Sequence, residues 1–145
     1  MESSREGGGV MRRILVVDDE VDFQTVLAMA LELQGYLPTI ARDGEEALAM
    51  LHDAAAQGEP FDAMLLDMAM PEVDGWHVLH QVRRDPSLKK MPIVAVTARA
   101  TSPEDQSRLA SYGAMFVEKR HDYVNRMLEM LGSLWGTALL REETG

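Results

Sequence analysis

The chain has 145 residues, a formal net charge of −10 and no cysteine. That length fits one domain with a core of its own, and the lack of thiols excludes disulfides and thiolate metal sites. The charge disfavours non-specific binding to nucleic acid or anionic lipid, and suits a cation, a basic partner surface or simple solubility.

The opening MESSREGGGV is rich in Ser, Glu and Gly, lacks the apolar stretch of a signal peptide, and reads as a disordered tail over residues 1–10, with Met11 a possible alternative start. Its Gly7-Gly8-Gly9 run precedes the first apolar segment, whereas a dinucleotide-binding loop would follow one. Ile14 to Val17 is a β-branched-rich run predicted as a strand, closed by Asp18-Asp19-Glu20. Val21, Phe23, Val26, Leu27, Ala30, Leu31 and Leu33 then recur at mostly helical spacing, and Gly35 ends that helix. A second strand is predicted over Tyr36 to Ala41, a turn at Asp43-Gly44, and a helix from about Glu45 to Ala56. Gln57 to Pro60 is a loop and Phe61 to Leu66 a third strand. The next helix runs from about Gly75 to Arg84, where Asp85-Pro86 breaks it. Pro92 to Val96 is the fourth strand. Ser102 as N-cap, Pro103 at the first helical position and Asp105 at the capping-box position start a helix that Gly113 stops. Ala114 to Val117 is the fifth strand. A last helix, about Asp122 to Leu140, carries the apolar stripe Val124, Met127, Leu128, Leu131, Leu134, Trp135 and Ala138.

Five strand–helix units in alternation predict an α/β fold, (βα)5, with a doubly wound parallel sheet covered on both faces. The strands are continuous apolar runs, as doubly covered parallel strands should be. One domain is expected over residues 11–140, with a short tail at 141–145. No apolar run approaches the roughly 20 residues needed to span a bilayer, so a cytoplasmic location is expected.

The polar residues fall at strand carboxyl ends, where open α/β sheets bind ligands at a switch in strand order. Asp18 and Asp19 follow strand one, Asp67 strand three, Thr97 strand four and Lys119 strand five. In the strand order 2-1-3-4-5 known for one type of doubly wound sheet, Asp18, Asp19 and Asp67 converge on one pocket. Clustered carboxylates repel one another, and protonation, a cation or Lys119 must offset that repulsion. Oxygen-only donors suit Mg²⁺ or Mn²⁺. A carboxylate-held metal beside an ammonium and a hydroxyl is a site for handling phosphoryl groups, with Asp67 the natural nucleophile and an acyl phosphate the product.

The stretches ILVVDDE, LLDMAMPEVDG, PIVAVTA and FVEK together resemble the two-component response regulator receiver domain, of the flavodoxin-like, single-domain, chemotaxis-regulator-like type, over about residues 12–140. The resemblance implies that Asp67 is the phosphoacceptor. It implies Mg²⁺ on Asp19, Asp67 and the backbone carbonyl of Ala69, with Asp18 acting largely through water. Thr97 and Lys119 would take the phosphoryl oxygens. Thr97 and Phe116 would form the switch, the ring turning inward as the hydroxyl moves. The family usually has Lys-Pro at the end of strand five, where this chain has Lys119-Arg120, so that turn must form differently. Ala69 and Arg99 flank the approach to the phosphoryl group and are expected to tune its lifetime.

The expected protein is a signalling domain and not an enzyme. A sensor histidine kinase or histidine phosphotransfer protein would serve as donor and a protein target as output, with no nucleic acid and no membrane involved. It would be a monomer or a phosphorylation-linked homodimer. An aspartate-nucleophile phosphatase would need a second Asp where Ala69 stands, and a flavin carrier would be repelled by Asp18-Asp19-Glu20. A pseudo-receiver that binds partners without phosphorylation is the alternative. Plainer readings exist for single residues: Asp18 or Asp19 as a helix cap, His77 and His80 as solvated side chains, Gly132 and Gly136 as close packing, Trp135 as core or contact patch.

Overall fold

Each of the five apolar runs forms a strand and each is followed by a helix. The computed structural model describes residues 11–69, 75–97 and 102–135. The elements are β1 (Arg13–Val17), α1 (Val21–Leu33), β2 (Leu37–Ala41), α2 (Gly44–Ala56), β3 (Ala63–Asp67), α3 (Gly75–Arg84), β4 (Ile93–Thr97), α4 (Pro103–Ser111), β5 (Met115–Glu118) and α5 (Tyr123–Trp135). The strands pair in parallel in the order β2-β1-β3-β4-β5. The sheet is therefore the expected doubly wound one. The tails, Ala138, Gly136, Arg99 and the loop around Asp74 lie outside the described residues.

Alternation along the strands divides the core in two. Leu15 and Val17 of β1 with Met64 and Leu66 of β3 point to one face, where they meet Ala47 and Leu51 of α2, Val78, Leu79 and Val82 of α3, and Leu109 of α4. Ile14, Val16, Ala63 and Leu65 point to the other, against Leu27 and Leu31 of α1 and Tyr123, Met127 and Leu131 of α5. Side chains on successive strand residues point to opposite faces, so each run must be apolar throughout. β3 and β4 are buried along their whole length. Trp135 belongs to the second layer: its ring lies 6.0 Å from that of Tyr36, with the Arg12 guanidinium 5.0 Å from its centroid.

The helix ends follow local chemistry. Gly35 ends α1 at φ +89°, and Gly113 follows α4 at φ +68°. In each case the glycine N–H and the next N–H bond back to the last carbonyls, Gly35 to Glu32 and Tyr36 to Leu31, Gly113 to Ala110 and Ala114 to Leu109. Ser102 caps α4 as expected, its hydroxyl accepting from the N–H of Asp105 at 3.1 Å. Arg83, at the end of α3, ties down the far end of α4. Its guanidinium donates to the carbonyls of Tyr112 (2.6 Å) and Gly113 (3.5 Å), and to those of Lys89 and Met91 (both 2.8 Å). In the same last turn of α4, the Arg108 guanidinium sits 4.1 Å from the centre of the Trp76 ring.

Gly75 starts α3 where the chain leaving β3 passes closest. A Cβ there would lie 2.8 Å from the backbone Cα of Met68 and 2.6 Å from its sulfur. Alanine is otherwise the better helix former by about 1 kcal/mol. Gly75→Ala is nevertheless expected to destabilise the fold by about 1–3 kcal/mol, the usual range for overpacking, read as a lower urea midpoint at unchanged m-value.

Candidate functional site

The carboxyl ends of β1, β3 and β5 bring Asp18, Asp67 and Lys119 together. Asp67 is itself the last residue of β3, one residue further than the sequence pattern marks, and pairs with Val96 across the ladder. Thr97 is likewise the last residue of β4, opposite Glu118. Ladder membership fixes both backbones more tightly than a loop would. Asp18 lies one residue beyond β1, its N–H bonded to the carbonyl of Ala41 at 3.2 Å.

The two buried carboxylates are bound in the same way. Asp18 Oδ1 accepts from the N–H of Glu20 and Asp67 Oδ1 from the N–H of Ala69, each at 2.9 Å. Their second oxygens face Lys119, whose Nζ lies 3.3 Å from Asp18 Oδ2 and 3.6 Å from Asp67 Oδ2. Glu20, without a side-chain cap bond, is the N-cap of α1, and the Asp18 carboxylate accepts from its N–H just before the helix. Asp19 is exposed at the rim, and one oxygen from each of Asp18, Asp19 and Asp67 falls within 4.8 Å of the others. Burial, above all, raises the Asp18 carboxyl above its ordinary range, and the Asp67 charge adds to that; the Glu20 N–H and Lys119 act in the opposite sense.

Thr97 is buried, and its hydroxyl donates to the carbonyl of Val117 at 3.5 Å, while its own carbonyl accepts from the N–H of Lys119 at 2.7 Å. Phe116 is half-buried against the layer containing Leu109 and lines a cleft of about 220 Å³ with Gln106, Glu118, Arg120 and Arg126. At the turn after β5, the N–H of Arg120 bonds to the carbonyl of Glu118 at 2.7 Å and its side chain pairs with the Glu118 carboxylate at 2.6 Å. A proline could not make the first of these bonds. His80 is exposed, 3.3 Å from the Tyr112 hydroxyl, and His52 pairs with Asp85 at 2.9 Å.

Three neighbours of the site were not singled out in the sequence. Gln24 donates to the Asp18 carbonyl at 2.6 Å. Phe23 lies under Lys119, with Nζ 3.7 Å from the ring centroid. Tyr123 and Phe23 pack edge to face, and the pKa of the Tyr123 phenol is pushed up to about 12 by burial and then by Asp18 and Asp67. All three read as ordinary helix residues, because their roles come from contacts across the fold.

The family model of the response regulator receiver domain matches residues 14–131, which contain every one of these groups. The chain belongs to the response regulator receiver domain family. The receiver is 36% identical over 117 residues to the uncharacterized transcriptional regulatory protein YkoG of Bacillus subtilis, a match covering 81% of this chain and 45% of that protein. It is 44% identical over 89 residues to a response regulator receiver protein of Anaeromyxobacter sp., covering 61% of this chain and 35% of the relative. The chain thus spans less than half the length of these two curated relatives. Among solved structures, the chemotaxis protein CheY4 of Vibrio cholerae superposes with a TM-score of 0.74 at 30% identity, covering 86% of this chain and 98% of that one.

Receivers of two-component systems bind Mg²⁺ at an acidic aspartate cluster, and the donors here fit that ion: three carboxylates in reach of one point, one of them open to solvent. The raised Asp18 carboxyl gives a pH test. It binds its proton more tightly in the folded than in the unfolded chain, so its favourable contribution is complete at low pH and is lost as pH rises through the folded value. Asp18→Asn should therefore stabilise the metal-free protein near neutral pH, by about 4 °C in melting temperature for each ~1 kcal/mol relieved. The gain should shrink as pH falls into the carboxyl range. Thermal melts of both proteins at about pH 7 and about pH 4 check this, and added Mg²⁺ should stabilise the wild type more than the variant.

Proposed function

We propose that this receiver is a phosphorylation switch in which Asp67 is the acceptor. The observation that carries the reading is the Lys119 ammonium held between the Asp18 and Asp67 carboxylates, 3.3 and 3.6 Å away, beside exposed Asp19. A carboxylate oxygen of Asp67 attacks the phosphorus of a phosphohistidine on a sensor kinase or phosphotransfer protein. The P–N bond breaks as the P–O bond forms, and the imidazole leaves with the N–P electron pair and takes up a proton. Mg²⁺ held by Asp19, Asp67 and the Ala69 carbonyl, with Asp18 through water, would supply charge neutralisation for the phosphoryl oxygens when bound. Lys119 pairs with one of those oxygens and the Thr97 hydroxyl with another.

The switch reading rests on one path. The Thr97 hydroxyl touches the carbonyl of Val117, the residue after Phe116. If Thr97 turns to the phosphoryl group, that contact is released and the backbone beside Phe116 is freed, next to the cleft between α4, β5 and α5. A protein target reads that face. A cytoplasmic location accords with such a role, and no helix among the described residues is long and apolar enough to cross a membrane.

Intact mass after incubation with acetyl phosphate tests the acceptor. One added phosphoryl group is expected, dependent on Mg²⁺ and absent in Asp67→Ala. If no adduct forms, and beryllofluoride with Mg²⁺ leaves the protein's spectra unchanged, the chain is a pseudo-receiver that binds its partner without phosphorylation.

A further inference from the structure

We infer that Phe23 is a positioning residue for Lys119: its ring face seats the ammonium between the two buried carboxylates. The inference rests on the reading of Asp67 as acceptor, and concerns how the cation that serves it is kept in place. An ammonium has three N–H donors. Asp18 and Asp67 face two of them, and the Lys119 side chain is only 11% exposed, so water has little access to the third. The Phe23 ring occupies that side, its centroid 3.7 Å from Nζ. A cation over an aromatic face is attracted by the ring quadrupole, and more strongly where water is excluded.

The ring is itself held. Phe23 and Tyr123 meet at 6.1 Å between centroids and 68° between planes, an edge-to-face contact. Tyr123 is buried, and its hydroxyl has no hydrogen-bond partner among the described residues. What Tyr123 contributes here is therefore its ring. α1 and α5 together form a two-ring platform beneath Lys119, the two rings braced edge to face.

The chemistry asks for such a seat. Before transfer the ammonium bridges Asp18 and Asp67; after it, the ammonium must turn towards a phosphoryl oxygen on Asp67. A carboxylate or carbonyl in place of the ring would hold one N–H in one direction and oppose that turn. A π face attracts the charge without fixing which N–H points at it. Leucine would fill the space but leave the third N–H facing hydrocarbon, and the side chain would seek water.

The test uses the full chain with Phe23 replaced by mono-, di- and trifluorophenylalanine, which keep the shape and progressively weaken the ring face, together with Phe23→Leu and Phe23→Tyr. Two quantities are read. The first is the proton shift of the Lys119 ε-methylene, displaced upfield by the ring in the wild type. It should stay displaced in Phe23→Tyr and return to ordinary lysine values in Phe23→Leu. The second is the rate of Asp67 phosphorylation by acetyl phosphate with Mg²⁺. It should fall stepwise with each fluorine, fall about tenfold in Phe23→Leu, and be kept in Phe23→Tyr. A flat rate across the fluorine series, or lysine shifts indifferent to Phe23→Leu, overturns the inference. Should Phe23→Leu fail to fold, the fluorinated series decides. Should the wild type accept no phosphoryl group and respond to no beryllofluoride, the Asp67 reading falls, and the lysine shifts alone decide whether the ring seats the ammonium.

Discussion

A lysine ammonium lodged between two buried carboxylates sets the terms for the rest of this molecule. Lys119 and Asp18 are 101 residues apart, and their contact requires that β1, β3 and β5 end at one level. The parallel register provides this: Val17 stands opposite Leu66, Asp67 opposite Val96 and Thr97 opposite Glu118. A slip of one residue between β1 and β3 or between β3 and β4 would take Asp67 out of line with its neighbours and bring an apolar side chain to the pocket in its place. Taking charges out of water is costly, and one ammonium does not neutralise two carboxylates and a third at the rim. The residual negative charge at the strand ends is what fits the site to a cation.

Much of this was legible in the sequence because the signals are local. Strands such as Ile14 to Val17 are apolar throughout since both faces are covered, and Gly35, Gly113 and Ser102 punctuate helices by backbone chemistry that a single residue dictates. The placement of Asp18, Asp19, Asp67, Thr97 and Lys119 after apolar runs was equally readable, because the end of a parallel strand is also the end of its burial. The limits are as instructive. Asp67 and Thr97 sit within the ladder and not after it, since the neighbouring strand continues to offer hydrogen-bond partners that no apolar pattern announces. Phe23 and Tyr123 look like core residues of two helices distant in sequence. Only the packing of α1 against α5 puts one under a charge and the other at its edge.

The turn after β5 shows how a departure from the family's habit is accommodated. Arg120 uses the very N–H that a proline would lack, bonding to Glu118, and its guanidinium covers the Glu118 carboxylate. Lys119 is thereby kept in line with Thr97, whose carbonyl accepts its N–H. The position of the ammonium thus depends on two backbone bonds, one from Lys119 itself and one from Arg120, and the second needs a following residue that has an N–H.

The anchoring of α4 has a mechanical meaning. Its attachments crowd one end: Leu109 is its only buried residue, Arg108 reaches Trp76, and Arg83 grips the carbonyls of Tyr112 and Gly113. The first turn, Pro103 to Gln106, is largely in solvent. A rod held chiefly at one end has rotation about that fastening as its softest displacement. Over nine residues, at about 1.5 Å of rise each, a tilt of a few degrees at Tyr112 becomes a shift on the order of 1 Å at Pro103. The helix is a lever whose fulcrum is an arginine, and whose far arm begins a few residues beyond Thr97.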